Sequence, residues 1–317
     1  MLPPVLKDAV MYANLILMLS IGFTLTYLTA KIPNFAHGTF AGIGIYTTFT
    51  VVKLWNLNPY IAAPLSFILG AAVGAFLYVV VIGTLKKYGA TPLSLTIATL
   101  ALQIIISAII NIYADYIRET TGIYTRVFLL RTADFKFMEL PGVLVITTIL
   151  ITLLIMGFHF MLTKTKFGIA MRATVENAEL ASMMGINVEF VCTVSWILTG
   201  GLAGLAGSFL PLWFQGLPET GNMIMTSVFA ASVLGGLSSI YGAMIGGYII
   251  GLSEILGIVV LSDLLGPWVA AYRMLIPLTV LAVVLMIAPR GIVGVIENLQ
   301  AKGYTLKLPL SLKGSRT

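Results

Sequence analysis

Apolar and polar positions segregate into long uncharged runs divided by short charged breaks. Residues 9–30, 32–52, 54–85, 88–114, 140–163, 190–218 and 220–253 contain no Asp, Glu, Lys or Arg, and 255–262, 264–272 and 274–289 follow as shorter uncharged runs. A helix crossing a bilayer needs about 20 apolar residues, which most of these runs supply. None alternates apolar and polar residues as a membrane barrel strand must. The pattern predicts an all-α, polytopic helical membrane protein with about nine spans and a single membrane domain over residues 1–317.

Three interruptions stand out. The first, Lys31-Ile32-Pro33-Asn34-Phe35-Ala36-His37-Gly38, breaks the backbone between spans one and two, because Pro33 lacks an N–H donor and disfavours helix at Ile32. Asn34 is expected to cap the next helix. Non-helical backbone at membrane depth survives only where protein buries it or water reaches it, so Asn34, His37 and Gly38 are candidates for a translocation path. The second, Leu234-Gly235-Gly236-Leu237-Ser238-Ser239-Ile240-Tyr241-Gly242, echoes it and adds Gly235, Gly236 and Ser238. The third, residues 163–188, is the mid-chain segment that reads as a soluble helix. Phe167, Met171, Val175, Ala178 and Ser182 recur there at spacings of three or four, one face of a 3.6-residue period, and Gly185 stands where a left-handed residue would close the helix. Small-residue pairs four apart, Gly38/Gly42, Gly70/Gly74, Gly200/Gly204 and Ala203/Gly207, predict close helix packing.

Composition agrees with the pattern: 59% of residues are hydrophobic and 9% charged, against roughly 25% charged in soluble domains. The net charge of +6 is explained by topology rather than by nucleic acid. With the C-terminus cytoplasmic, eleven Lys and Arg, among them Lys86, Lys87, Lys164, Lys166, Arg172 and the basic tail 290–317, lie inside and six outside, as the positive-inside rule requires. The N-terminus is then outside. No h-region with a small-residue cleavage site precedes the first span, which is expected to remain as an anchor. The single cysteine, Cys192, rules out disulfides within the chain, and no metal site is expected. Glu254 and Arg273 fall inside spans, where isolated charges are costly, so the two are expected to pair across neighbouring helices. No G-x-x-x-x-G-K-[ST] phosphate loop occurs, and no catalytic residue is assigned: the chain is not expected to be an enzyme or to bind a cofactor itself.

Asn34-Phe35-Ala36-His37-Gly38, Phe167-Gly168-Ile169-Ala170-Met171-Arg172-Ala173, Ala181-Ser182-Met183-Met184-Gly185-Ile186-Asn187, Leu234–Ala243 and Ala288-Pro289-Arg290-Gly291-Ile292 occur in this order. Together they resemble the branched-chain amino acid ABC-transporter permeases, and the first motif is similar to the first of the two permeases such systems pair. Glu176-Asn177-Ala178 departs from the family pattern. The resemblance implies a permease in the cell membrane of a prokaryote that moves leucine, isoleucine, valine or similar amino acids inward. It also implies two ATP-binding subunits that hold ATP and Mg, a second permease subunit, an extracytoplasmic substrate-binding protein and a lipid surround. Residues 163–188 would be the cytoplasmic coupling helix, with Phe167, Gly168, Met171, Arg172, Ala173, Glu176 and Gly185 meeting the ATPase. Two other readings stay open: a permease of the same type for urea or short amides, and an ion-coupled secondary transporter with Glu254 as proton carrier.

Overall fold

The computed structural model describes residues 3–288 and 290–301. Helix α1 (Pro4–Ala30) ends at Lys31, in a left-handed conformation with φ 59°. The chain stays non-helical through Pro33 and Asn34 before α2 (His37–Phe49), which continues as a π turn over Thr50–Leu54. A single helical span over Pro59–Lys87 contains α3 (Ala62–Phe76), a π segment (Leu77–Ile82) and α4 (Gly83–Lys87). Helix α5 (Pro92–Thr121) starts as its sequence dictates: the Thr91 hydroxyl accepts from the Ser94 N–H and Pro92 fills the first turn, where its missing donor costs nothing. It stops at the left-handed Gly122.

The following loop carries a two-stranded hairpin, β1 (Lys136–Phe137) and β2 (Leu140–Pro141). Met138 and Glu139 turn it with positive φ at both positions, the twist that matches paired strands. Then come α6 (Gly142–Lys164), α7 (Lys166–Glu176), α8 (Ala178–Met183), α9 (Val188–Phe209), α10 (Thr220–Gly235), α11 (Ile240–Leu265), α12 (Leu275–Ile287) and α13 (Gly291–Ala301).

Seven helical stretches among the described residues are long and apolar enough to cross a membrane: α1, Pro59–Lys87, α5, α6, Val188–Leu212, α11 and Leu275–Ile296. The expected segments 32–52 and 221–234 form α2 with its π turn and the 16-residue α10, both shorter than those seven. The start of the expected basic tail is helical, as α13, while Pro289 and residues 302–317 lie outside the described residues.

Contacts group the chain into two compact units, each discontinuous in sequence. One takes the chain up to Leu28, Leu150–Ile186 and Thr226 onward; the other takes Thr29–Ile149 and Asn187–Met225. In the second unit α9 packs along α3 and α2. The glycine pairs make this possible: a Cβ at Gly200 would overlap the carbonyl of Gly70, one at Gly204 that of Ser66, and one at Gly207 that of Ala41. Helix backbones that touch gain dispersion contacts that lipid tails cannot supply. Gly200→Leu is therefore expected to destabilise the protein by about 1–3 kcal/mol or more, read as a lowered melting temperature in detergent, whereas Gly157→Leu, where an added Cβ meets nothing, leaves it unchanged. In the first unit α11 lies against α1 in the same manner, with Gly247 on Leu17 and Gly251 on Ala13. The Ser20 hydroxyl donates to the Ala243 carbonyl at 2.9 Å.

Candidate functional site

The segment between α6 and α9 is two helices, not the one expected. Asn177 leaves the helical region at φ −154°, ψ 107°, and its side-chain oxygen accepts from the N–H groups of Glu179 and Leu180 at 3.0 Å each. An Asx residue satisfying orphan donors in this way begins a new helix rather than continuing the old one. The break rotates the expected face. Met171 is fully buried, with Gly168, Thr174 and Ala181; Phe167 and Val175 are half-buried, and Ala178 and Ser182 are exposed.

Gly168 serves the corner between α6 and α7: a Cβ there would overlap the Met161 and Leu162 carbonyls, and its N–H donates to the Thr165 hydroxyl at 3.1 Å. Gly168 and Met171 are thus buried within this chain. Arg172 and Ala173 are half-buried and Glu176 is exposed. Gly185, exposed and at φ 83°, closes α8 with the left-handed geometry expected of it. Large apolar side chains exposed on the segment include ones the spacing argument passed over: Leu180 at 58% exposed, Met183 at 83% and Met184 at 84%.

At the Pro33–Gly38 break, Asn34 does not act as a cap. Ala36 holds the N-cap position without a side-chain bond, and Asn34 instead offers its backbone carbonyl to the His37 N–H at 3.2 Å. The Asn34 side chain is fully buried with neither amide atom hydrogen-bonded. His37 is buried edge-on to Phe40, its ring centroid 6.3 Å away, and Gly38 touches the Gly221 backbone. In the other unit Gly235 packs against Gly242, and Gly236, at φ 98°, lies against the Arg290 carbonyl. Both glycines are buried, whereas Ser238 is exposed and Ser239 caps α11 by accepting from the Gly242 N–H at 3.2 Å.

Glu254 and Arg273 meet, with Arg273 Nε 2.6 Å from Glu254 Oε1. Glu254, 1% exposed, also accepts from the Tyr12 hydroxyl at 3.0 Å and the Ser227 hydroxyl at 2.6 Å. The Arg273 guanidinium lies 4.4 Å over the Tyr12 ring. A carboxyl group that accepts from three donors is held in place. Among the described residues no group of three His, Cys, Asp or Glu could hold a metal ion.

One constellation had escaped the sequence reading. Thr99, Gln103, Ser107, Asn111 and Asp115 recur at every fourth position of α5. From the first turn of α10, Asn222 Nδ2 donates to Ser107 Oγ and Glu219 Oε2 at 2.9 Å each, and Gln103 Nε2 donates to Asn222 Oδ1 at 3.3 Å. Asn111 Nδ2 donates to Glu219 Oε1 at 3.1 Å, and its oxygen accepts from Arg126 Nη1 at 2.9 Å. Arg126 in turn forks onto both Asp115 oxygens, at 3.1 and 2.6 Å. The signal was available as a four-residue period of polar residues, hidden because only Asp115 is charged.

The sequence profile of the branched-chain amino acid transport system permease component family matches residues 5–285. A probable branched-chain amino acid transport permease protein, LivH of Methanocaldococcus jannaschii, is 42% identical over 291 residues, 92% of each chain. The high-affinity branched-chain amino acid permease protein LivH of Escherichia coli is 27% identical across 87% of this chain and 90% of its own. LsrC, an autoinducer 2 import system permease protein of Yersinia enterocolitica, is 28% identical over 81% of this chain and 68% of its own. With seven helical stretches long and apolar enough to cross a membrane and a family match along most of its length, this chain belongs to the permease components of branched-chain amino acid transport systems.

Proposed function

We propose that this chain is the membrane-spanning subunit of an ATP-driven importer in a prokaryotic cell membrane, carrying leucine, isoleucine, valine or similar amino acids inward. Two ATP-binding subunits supply the energy, a second permease completes the passage and an extracytoplasmic binding protein delivers the solute. ATP and Mg belong to the partner subunits in this reading, and the absence of a phosphate loop in the sequence supports that division.

The observation that carries the proposal is the surface of α7 and α8. Leu180, Met183 and Met184 stand exposed on a short helix pair that joins two apolar membrane helices. Methionines on an exposed face suit a partner's groove, because their unbranched thioether chains adapt to its shape. A motor subunit that grips this pair can move the ends of α6 and α9 without entering the membrane. Asn34, His37 and Gly38 at the first break are assigned to the passage on the same reading, since a buried, unbonded amide such as that of Asn34 is a group that solute or water would satisfy.

Liposomes holding the complete set of subunits are expected to accumulate leucine only with ATP inside and loaded binding protein outside, and excess valine should compete where urea does not. Competition by urea without valine would assign another cargo. Accumulation by this chain alone under a proton or sodium gradient would overturn the whole assignment.

A further inference from the structure

The polar row on α5 crosses most of a bilayer. From Thr99 to Asp115 the helix rises about 24 Å, against roughly 30 Å of hydrocarbon, and a four-residue spacing keeps the row on one ridge of the helix. One end meets the Pro33–Asn34 break, where the Thr99 hydroxyl donates to its own helix at the Thr96 carbonyl at 2.8 Å, accepts from the Phe35 N–H at 3.4 Å and lies 3.3 Å from the Pro33 carbonyl. The other end is the network of Asn111, Asp115, Arg126, Glu219 and Asn222.

Gln103, Ser107 and Asn111 are half-buried rather than enclosed, while Ile105 and Ile112 are exposed. Lipid offers such amides and hydroxyls no partner, so the open side of the row must face water or protein. The charge at its head is unbalanced. Arg126 is occupied by Asp115, and among the described residues no basic group lies within ion-pair distance of Glu219. The Glu219 carboxylate is exposed and held in position by two amide donors, from Asn111 and Asn222. An oriented carboxylate with amide support and no cation of its own has the chemistry to take an ammonium group.

We propose that this row is the polar lane of the passage and that Glu219, positioned by Asn111 and Asn222, receives the α-ammonium of a zwitterionic amino acid; this deepens the importer reading and rests on it. The ammonium would replace water on the exposed carboxylate, and the row below would offer hydroxyl and amide groups in succession, so that no single site binds tightly enough to trap the solute.

Two measurements on the complete transporter test it. Cys192 is the sole cysteine and is buried, so in a Cys192→Ala background single cysteines can be read cleanly. Gln103→Cys and Ser107→Cys should react with a water-soluble, membrane-impermeant thiosulfonate, while Ile105→Cys and Ile112→Cys should not. No reaction at 103 or 107 overturns the lane. In the second measurement, Glu219→Gln, assembled with its partner subunits, should lower leucine uptake on the order of ten- to a hundredfold, the worth of a charge-assisted hydrogen bond, and Glu219→Asp should restore part of it. Unchanged uptake by Glu219→Gln, with wild-type leucine uptake intact, overturns the ammonium site but not the importer. If Glu219→Gln instead prevents the two permeases from associating on size exclusion, the residue joins subunits and the site assignment falls. A wild-type complex that moves no leucine removes the importer reading itself.

Discussion

Replacing Met183 and Met184 together by aspartate is expected to abolish ATP-driven uptake while leaving the chain folded in the membrane. Both side chains are more than four-fifths exposed, so two carboxylates there meet water in the isolated subunit and cost it little. In a docked complex the same carboxylates would enter an apolar groove without partners, and an unpaired charge desolvated at an interface costs several kcal/mol. Uptake should fall at least about a hundredfold, since each 1.4 kcal/mol is a factor of ten. Co-purification of the ATP-binding subunits should fail in parallel. Normal uptake with normal co-purification would move the docking surface elsewhere. Met171→Asp, at a fully buried position, is expected instead to lower the yield of folded protein, separating a docking residue from a packing one on the same segment.

The second large effect concerns Glu254 and Arg273. Arg273→Met is expected to destabilise the protein by about 3 kcal/mol, the lower end of the range for breaking a buried pair, because the Arg273 side chain is itself 33% exposed and so partly screened. The loss comes from the carboxylate left behind, which keeps only the Tyr12 and Ser227 hydroxyls. Glu254→Gln combined with Arg273→Met removes both charges and should recover most of that loss, as the amide oxygen can accept from one hydroxyl while its NH2 donates to the other. Melting curves of the two variants in detergent give the comparison. The same double variant should retain ATP-driven transport; its loss together with a loss of proton coupling would favour a carrier role for Glu254.

How much of this was legible in the sequence differs by feature. The membrane class, the helical fold and the positions of most long helices follow from where charges are absent, because lipid tolerates only backbone that bonds within its own segment. The close packing of α9 on α3 was readable from Gly200 and Gly204, since small residues four apart leave one flat stripe. Glu254 and Arg273 were readable as expected partners because each was too costly to leave alone. The segment 163–188 was legible as a break between long apolar helices but not as a surface: Asn177 competes for backbone donors and splits the helix, while the corner between α6 and α7 buries Gly168. Asn34 as a cap failed likewise, because Ala36 reached the position first.

By itself the sequence determined that the chain lies in a membrane, that it is helical and where its helices break, for these are matters of local hydrophobicity and backbone chemistry. Only the tertiary structure decided which side chains face outward on α7 and α8 and which polar residue answers which. The hydrogen bonds from Asn222 to Ser107 and from Asn111 to Glu219 join positions more than a hundred residues apart. No period within a single helix records a partner on another, so the row on α5 acquires its charged head only when α10 is folded beside it.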